Sequence, residues 1–344
     1  MDNSTLEINN TKVGLGEKRT LMIKLPSLYD CSPLNMPVHI LRGKKPGKTL
    51  LVTAALHGDE INGVEIVRQI LKRKNYKQMH GTLIAIPIVN VYGFLLQDRY
   101  LMDRRDLNRS FPGSKIGSIA SRLAHILSNE ILPHADCHID LHSGSLHRNN
   151  FPQIRVDGKC ETTLNLAKVF NAPVILKAQE REGSLRKTAE AQAIPSLLYE
   201  AGEALRFDNS SIKIGVRGIL KTMIHLGIFP PEKIKIPKIK SSSFIASSSY
   251  WLRSPYSGIF RTLRNLGKSV KKGEIIGHIG NPLDGSEQSL IAPASGIIIG
   301  LNNLPLVHEG SALFNIACFE ELQQVEKEFQ SKNYIFTDVN IEYI

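Results

Sequence analysis

The sequence predicts an α/β fold, a mixed and largely parallel sheet with helices on both faces, followed by a small all-β unit. Three observations carry this. Short apolar runs at 49–56 and 81–90 stop abruptly at polar residues, as strands buried on both faces do. Segments of helical period lie between the runs, which implies crossover connections and a sheet covered on both sides. After about residue 227 the helical period is lost, and a sequence repeat replaces it.

Taken in order, residues 1–47 contain extended segments around 19–25 and 37–41. The run at 49–56 breaks at His57-Gly58-Asp59-Glu60, and Ile61, Val64, Ile66, Val67, Ile70 and Leu71 then mark a helix. Residues 81–90 read as a second buried strand, 91–116 as a long polar, Arg-rich loop, and 116–132 as a helix stopped by Pro133. Residues 136–142 alternate and read as a strand, with a loop to about Gly158. Helices are expected at 161–170, 185–192 and 212–226, and strands at 173–177 and 196–199. Beyond Phe229-Pro230-Pro231 come a Lys/Ile alternation at 233–240, read as a connecting strand with one wet face, and two serine triplets. The repeat pairs Pro-Tyr-Ser-Gly-Ile-Phe at 255–260 with Pro-Ala-Ser-Gly-Ile-Ile at 293–298, and 270–276 with 307–313. Two such β units suggest a small barrel or sandwich with approximate two-fold symmetry. The expected domains are 1–240, carrying the chemistry within 48–227, then the β unit at 241–325 and a tail at 326–344.

Hydrophobic residues make up 42% of the 344, enough for a real core and too many for a disordered chain. Lys and Arg number 43 against 32 Asp and Glu, a net charge of +11, which favours anionic partners. Aromatics at 6% do not favour a base-stacking surface, and no helix-turn-helix, zinc-finger or RNA-recognition signature occurs. Cys31, Cys137, Cys160 and Cys318 form no C-x-x-C pair, so a disulfide framework or cysteine zinc site is not expected. No signal peptide or long apolar run is seen, and the expected address is the cytoplasm, with no membrane partner.

The polar residues gather at strand ends, where open α/β sheets bind ligands. His57 and Glu60 stand at i and i+3 across a helix entry, so an imidazole and a carboxylate can reach one point. His142 ends another strand beside Ser143 and Gly144 and can complete a set of two His and one Glu. With a fourth position open, that set is a catalytic zinc arrangement. A lone His-x-x-Glu is common by chance, so the assignment depends on its company. That company is Asp-Leu-Asn-Arg at 106–109 and Glu200 at a later strand end. His138 alternates with Ile139 and reads as structural, Asp140 as a local hydrogen-bonding residue, and His147 as a candidate for facing the pocket.

His-Gly-Asp-Glu at 57–60, Asp-Leu-Asn-Arg-Ser-Phe-Pro-Gly at 106–113, Ile-Asp-Leu-His-Ser-Gly at 139–144 and Tyr-Glu-Ala-Gly-Glu at 199–203 occur in that order. Together they resemble the succinylglutamate desuccinylase/aspartoacylase family, within the zinc-carboxypeptidase-like fold. The resemblance covers roughly 48–227, and the repeat resembles a barrel-sandwich hybrid domain. It implies that His57, Glu60 and His142 hold one zinc ion, that Glu200 is the general acid/base, and that Asn108 and Arg109 grip a substrate carboxylate. It further implies that Asp106 orients His57, that Arg99 polarises the scissile carbonyl, with Arg104 or Arg105 as alternatives, and that Arg186 is a further substrate contact. Glu203 competes with Glu200, which sits at the strand end.

These parts suit an amide hydrolase. Zinc lowers the pKa of bound water towards ~7, a free carboxylate carries the proton, and an arginine fork binds a carboxylate. The expected activity is deacylation of a small, anionic N-acyl amino acid or related carboxylate-bearing substrate. A zinc carboxypeptidase acting on short peptides or cell-wall fragments would use the same residues. A basic nucleic-acid-binding protein would explain the charge but not the clustering of these residues. The repeat's tip, residues 281–288, has no Lys, so covalent biotin or lipoate is not expected. The β unit is expected to cover the active-site rim or to form the interface of a homo-oligomer.

Overall fold

The computed structural model describes residues 5–73, 75–233, 236 and 243–331. Most of the Lys/Ile stretch at 233–240, Ser241, Ser242 and the tail beyond 331 lie outside the described residues.

The chain begins with a hairpin, β1 (Thr5–Ile8) and β2 (Thr11–Gly14), then β3 (Lys18–Leu25) and β4 (Leu34–Arg42). The α/β core follows: β5 (Lys45–Ala54), α1 (Asn62–Leu71), β6 (His80–Ile86), α2 (Val91–Leu96), α3 (Ile119–Ile126), β7 (Cys137–Gly144), β8 (Arg148–Val156), α4 (Glu161–Phe170), β9 (Val174–Lys177), α5 (Leu185–Ala191), β10 (Ser196–Glu203) and α6 (Asn209–His225). The last part is β11 (Phe244–Ala246), β12 (Ser248–Arg253), β13 (Gly258–Thr262), β14 (Ser269–Val270), β15 (Ile275–Gly280), β16 (Glu287–Ile291), β17 (Gly296–Asn302), β18 (Leu306–Val307), β19 (Ala312–Cys318) and α7 (Leu322–Ser331).

One mixed sheet runs in the order β12-β19-β17-β8-β10-β7-β5-β6-β4-β3, with β9 joined to β8 and β11 to β9. Its centre, β10-β7-β5-β6, is parallel, whereas the flanking pairs β8-β10, β4-β6 and β3-β4 are antiparallel. The sheet has a core on each face. Leu50, Val52 and Ala54 of β5 pack with Ile66, Val67 and Ile70 of α1, Phe170 of α4 and Ile219 of α6. Leu51 points the other way, to Leu123 and Ala124 of α3 and Leu185 and Ala189 of α5. A strand buried on both faces must be apolar at consecutive positions, which is why 49–56 lacks alternation. Helix starts are capped by side chains: Ser118, Ser184 and Asp208 accept from the backbone N–H of Ser121, Lys187 and Ser211.

Three expectations need correction. The loop expected to reach Gly158 contains β8, whose Arg148, Asn149, Asn150 and Pro152 disguise a strand with polar residues and a helix breaker. The loop at 91–116 begins with α2, capped by Asn90, whose side chain accepts from Gly93 N–H. The helix at 116–132 stays regular only over Ile119–Ile126, then widens into a π turn over Leu127–Ile131 before Pro133.

The C-terminal repeat is visible as reciprocal pairing. In one half β13 pairs β15 and β18; in the other β17 pairs β19 and β14. Each Ser-Gly-Ile motif starts the strand that pairs on both sides within its half, and Phe260, Ile279, Ile298, Leu313 and Phe314 fill the interior between them. The first half forms a separate four-stranded sheet, β16-β15-β13-β18, whereas the second half is part of the large sheet. Strand β17 pairs antiparallel with β8, and β11 pairs parallel with β9.

Candidate active site

A cavity of about 550 Å³ opens at the carboxyl ends of β5, β7 and β10. After β5 the chain turns through Ala55, a non-glycine residue in the left-handed region at φ +48 and fully buried. Such strain persists only where the surroundings fix it. Here the N–H groups of Val89 and Asn90 bond the carbonyls of Ala54 and Ala55. Gly58 follows, and a Cβ there would lie 2.0 Å from the Gly93 carbonyl carbon. The turn thus presses against α2 and carries His57 and Glu60 into the cavity. Asn62, just beyond, donates to the Glu203 carbonyl at 3.2 Å and accepts from Asp208 N–H at 2.9 Å, tying α1 to the end of β10.

His57, Glu60 and His142 are all buried, and their ligating atoms lie within 4.8 Å of one another. His57 Nδ1 and His142 Nδ1 each sit 2.8 Å from a different oxygen of Glu60. The far ring nitrogens face carboxylates: His57 Nε2 is 3.2 Å from Asp106 Oδ1 and His142 Nε2 is 2.8 Å from Asp140 Oδ2. Each imidazole is thus aligned at its outer edge, which leaves the inner nitrogens aimed at one point. Burial disfavours charge on both rings, but the surrounding carboxylates outweigh it and raise both histidines above their ordinary pKa. Burial would likewise raise Glu60 and Asp106, yet the two imidazoles hold Glu60 well below the carboxylate range, and His57 and Arg99 do the same for Asp106. The site is therefore built to hold positive charge between an anionic carboxylate and two oriented rings, a donor set that suits a divalent cation of the zinc type.

His138 is buried away from this cluster. It bonds Thr53 Oγ1 and Ser196 Oγ, each at 2.9 Å, and burial pushes it down to about 4, so it stays neutral. Thr53 also donates to Asp140 Oδ1 at 2.6 Å, so Asp140 is held on both sides.

Arg99 enters from the loop after α2. It donates to Asp106 Oδ2 and Ser145 Oγ, each at 2.9 Å, and lies 3.4 Å from Glu60. Arg104 and Arg105 are exposed and do not line the cavity. Asp106 caps the short turn Leu107–Arg109, and Asn108 Oδ1 accepts from Leu185 N–H at 3.0 Å, which locks that turn to the start of α5. Arg109 lines the cavity from an exposed position and donates to the Asn108 carbonyl. Arg186 is buried beside Glu180 at 3.7 Å and donates to the carbonyls of Ala178 and Gln179, while one terminal nitrogen, Nη1, has no hydrogen-bond partner.

Glu200 lies in register with His142 on the neighbouring parallel strand and faces the cavity. Its Oε2 accepts from Asn150 at 2.7 Å and its Oε1 is 4.0 Å from Arg155. Glu203 does not line the cavity; it accepts from Asn303 and faces Arg206. His147 is exposed and also outside the lining. Sequence reasoning missed Arg148, Asn150 and Arg155 on β8, Arg181, and Trp251 and Asn315 on β12 and β19. Arg148 and Asn150 are two residues apart, as on one face of a strand, but Arg155 is out of step with them across the irregularity in the β8–β10 pairing, so no regular period marked the set.

The sequence pattern of the succinylglutamate desuccinylase/aspartoacylase catalytic domain matches residues 46–226, more than half of the chain. The chain belongs to that family. It is 26% identical over 269 residues to the N-alpha-acetyl-L-2,4-diaminobutyric acid deacetylase of Halomonas elongata, covering 75% of this chain and 78% of that protein. Its fold is similar to that of a succinylglutamate desuccinylase/aspartoacylase from Rhodobacter sphaeroides, with a TM-score of 0.79 at 26% identity over 87% of this chain and 95% of the other. A succinylglutamate desuccinylase from a Silicibacter species superposes with a TM-score of 0.81 at 25% identity, covering 93% of this chain and 100% of its own. Within this family the chain is a hydrolase of amide bonds, and the carboxypeptidase-like expectation for its fold holds. Among the described residues no helix is long and apolar enough to cross a membrane.

Proposed function

We propose that this desuccinylase/aspartoacylase-family protein is a zinc-dependent deacylase of a small, carboxylate-bearing N-acyl amino acid. The observation that carries the substrate size and charge is the cavity itself. It measures about 550 Å³, is walled on one side by β12 and β19, and is lined by Arg99, Arg109, Arg148, Arg155, Arg181 and Arg186. A cavity of this volume lined by six arginines suits a small anion.

His57, Glu60 and His142 would hold the ion, oriented by Asp106 and Asp140. When bound, it supplies a Lewis acid that acidifies water and polarises the acyl carbonyl. Glu200, not needed as a ligand, accepts the proton of the attacking water as its oxygen bonds the carbonyl carbon. As the C–N bond breaks, Glu200 returns that proton to the departing amine nitrogen, leaving a carboxylate and a free amine. The hydrogen bond from Asn150 fixes the Glu200 carboxylate for both transfers. The Arg99 guanidinium lies beside the histidine cluster and supplies charge for the developing oxyanion. Asn108 and Arg109 take the substrate carboxylate. A panel of N-acetyl, N-succinyl and N-formyl amino acids, scored for released amine with zinc supplied, tests the reading. Turnover of peptides with none of the panel hydrolysed would overturn it.

A further inference from the structure

Strand β7 alternates between two kinds of residue. Cys137, Ile139 and Leu141 go to the core shared with α1. His138, Asp140 and His142 take the opposite face, the side of Leu51 and α5. There they meet two polar neighbours, because Thr53 of β5 is in register with Asp140 and Ser196 of β10 with His138. Ser196, His138, Thr53 and Asp140 thus form a polar row across three parallel strands. His138 and Thr53 are fully buried, and Asp140 and Ser196 nearly so. Polar groups at such depth cost stability unless each one is hydrogen-bonded. An apolar residue at 138 would avoid that cost, and His138 belongs neither to the metal cluster nor to the cavity lining.

The hydrogen bonds of the row can run in one direction only. Ionised Asp140 can only accept, so Thr53 gives its single hydroxyl proton to Asp140 Oδ1 at 2.6 Å. Thr53 Oγ1 must then accept from His138 Nε2, 2.9 Å away. Burial pushes His138 down to about 4, so it is neutral and has one N–H, which is therefore on Nε2. Its Nδ1 keeps a lone pair and accepts from Ser196 Oγ at 2.9 Å. Asp140 Oδ2 takes the Nε2–H of His142 at 2.8 Å. Every donor of the row points towards Asp140, and the Nδ1 lone pair of His142 is left on the side of Glu60. In the opposite tautomer, His138 Nε2 would compete for the Thr53 proton and leave Asp140 Oδ1 without it.

We propose that His138 is a positioning residue for the metal centre: through Thr53 it fixes the Asp140 carboxylate, and thereby the orientation and tautomer of His142. This rests on the zinc reading, in which His142 is a ligand. It carries the support of the site from the strand ends into the interior of the sheet.

The test is the affinity for Zn2+ and Co2+, measured by competition with a chelator, with the visible spectrum of bound Co2+ as a report of ligand geometry. Thr53→Val keeps the shape but removes the hydroxyl. It should weaken Zn2+ binding ~10–100-fold, the usual effect of losing an outer partner of a ligand, and alter the Co2+ spectrum. Thr53→Ser returns the hydroxyl and should restore both. His138→Leu should weaken binding in the same range, and His138→Gln, whose amide can still donate to Thr53, should recover part of it. If His138→Leu does not fold, the Val and Ser variants at 53 decide. Isotope-edited NMR of the imidazole nitrogens reads the tautomer, and His138 should carry its proton on Nε2. A proton on Nδ1 overturns the proposal. So do variants that melt at lower temperature yet bind both ions as tightly as the wild type, which would make His138 a packing residue while the zinc reading stands. Wild-type protein that takes up neither ion overturns the zinc reading and this proposal with it.

Discussion

Glu200 and Asn150 are the residue pair on which the proposed proton transfer turns. Glu200→Gln should keep fold and metal content but lower turnover by at least ~100-fold, the usual worth of a general acid/base. The check is steady-state turnover beside metal analysis, and full activity of this variant with an inactive Glu203→Gln would transfer the role to Glu203. Asn150 donates to Glu200 at 2.7 Å, so Asn150→Ala removes a hydrogen bond to a charged group, worth roughly 1.5–3 kcal/mol. Asn150→Asp is more telling. A second carboxylate beside Glu200 disfavours the ionised base, so its pKa rises and the acid limb of the rate profile moves to higher pH. An unchanged acid limb in Asn150→Asp would show that Glu200 is not the base whose ionisation limits the rate.

At the scale of elements, the turn after β5 is a place where packing and chemistry coincide. Gly58→Ala puts a methyl group 2.0 Å from the Gly93 carbonyl carbon, where only backbone can give way. A destabilisation of at least about 1–3 kcal/mol is expected, together with loss of metal stoichiometry because His57 and Glu60 ride on the same turn. Calorimetry and metal analysis on one sample separate the two effects. This turn was readable in advance, because a buried apolar run ending in His57 and Glu60 can only deliver them to a strand end. The same logic placed His142 and Glu200, which prove to be in register on adjacent strands. Strand β8 was not readable. Its inward face is polar because it lines a cavity, and its Pro152 removes a ladder donor, so neither period nor propensity announced it. Trp251 and Asn315 were hidden for another reason: their approach to β8 depends on strand pairing between distant parts of the chain.

At the scale of the whole molecule, the histidine cluster makes metal uptake depend on pH with a definite sign. His57 and His142 have raised pKa values in the metal-free protein, so each holds its proton to higher pH than an ordinary histidine. A ligating imidazole must be neutral at the nitrogen it offers, so binding expels protons and apparent affinity climbs with pH. Metal titrations at pH 6 and pH 8 should show tighter binding at the higher value, with proton release that scales with buffer ionisation enthalpy. Affinity independent of pH would exclude the histidines as ligands. The continuity of the large sheet has a further consequence. Strand β8 is bonded on its edges to β10, β9 and β17, so no opening that takes β17 away can leave its ladder intact. The slowest amide protons of the protein should therefore sit on β8 and its partners, exchanging only when the entire chain unfolds. Melting of the large sheet should follow as one cooperative transition, with β17, β19 and the strands of 45–203 losing protection together. Two resolved transitions would mean that β17 peels from β8 at little cost.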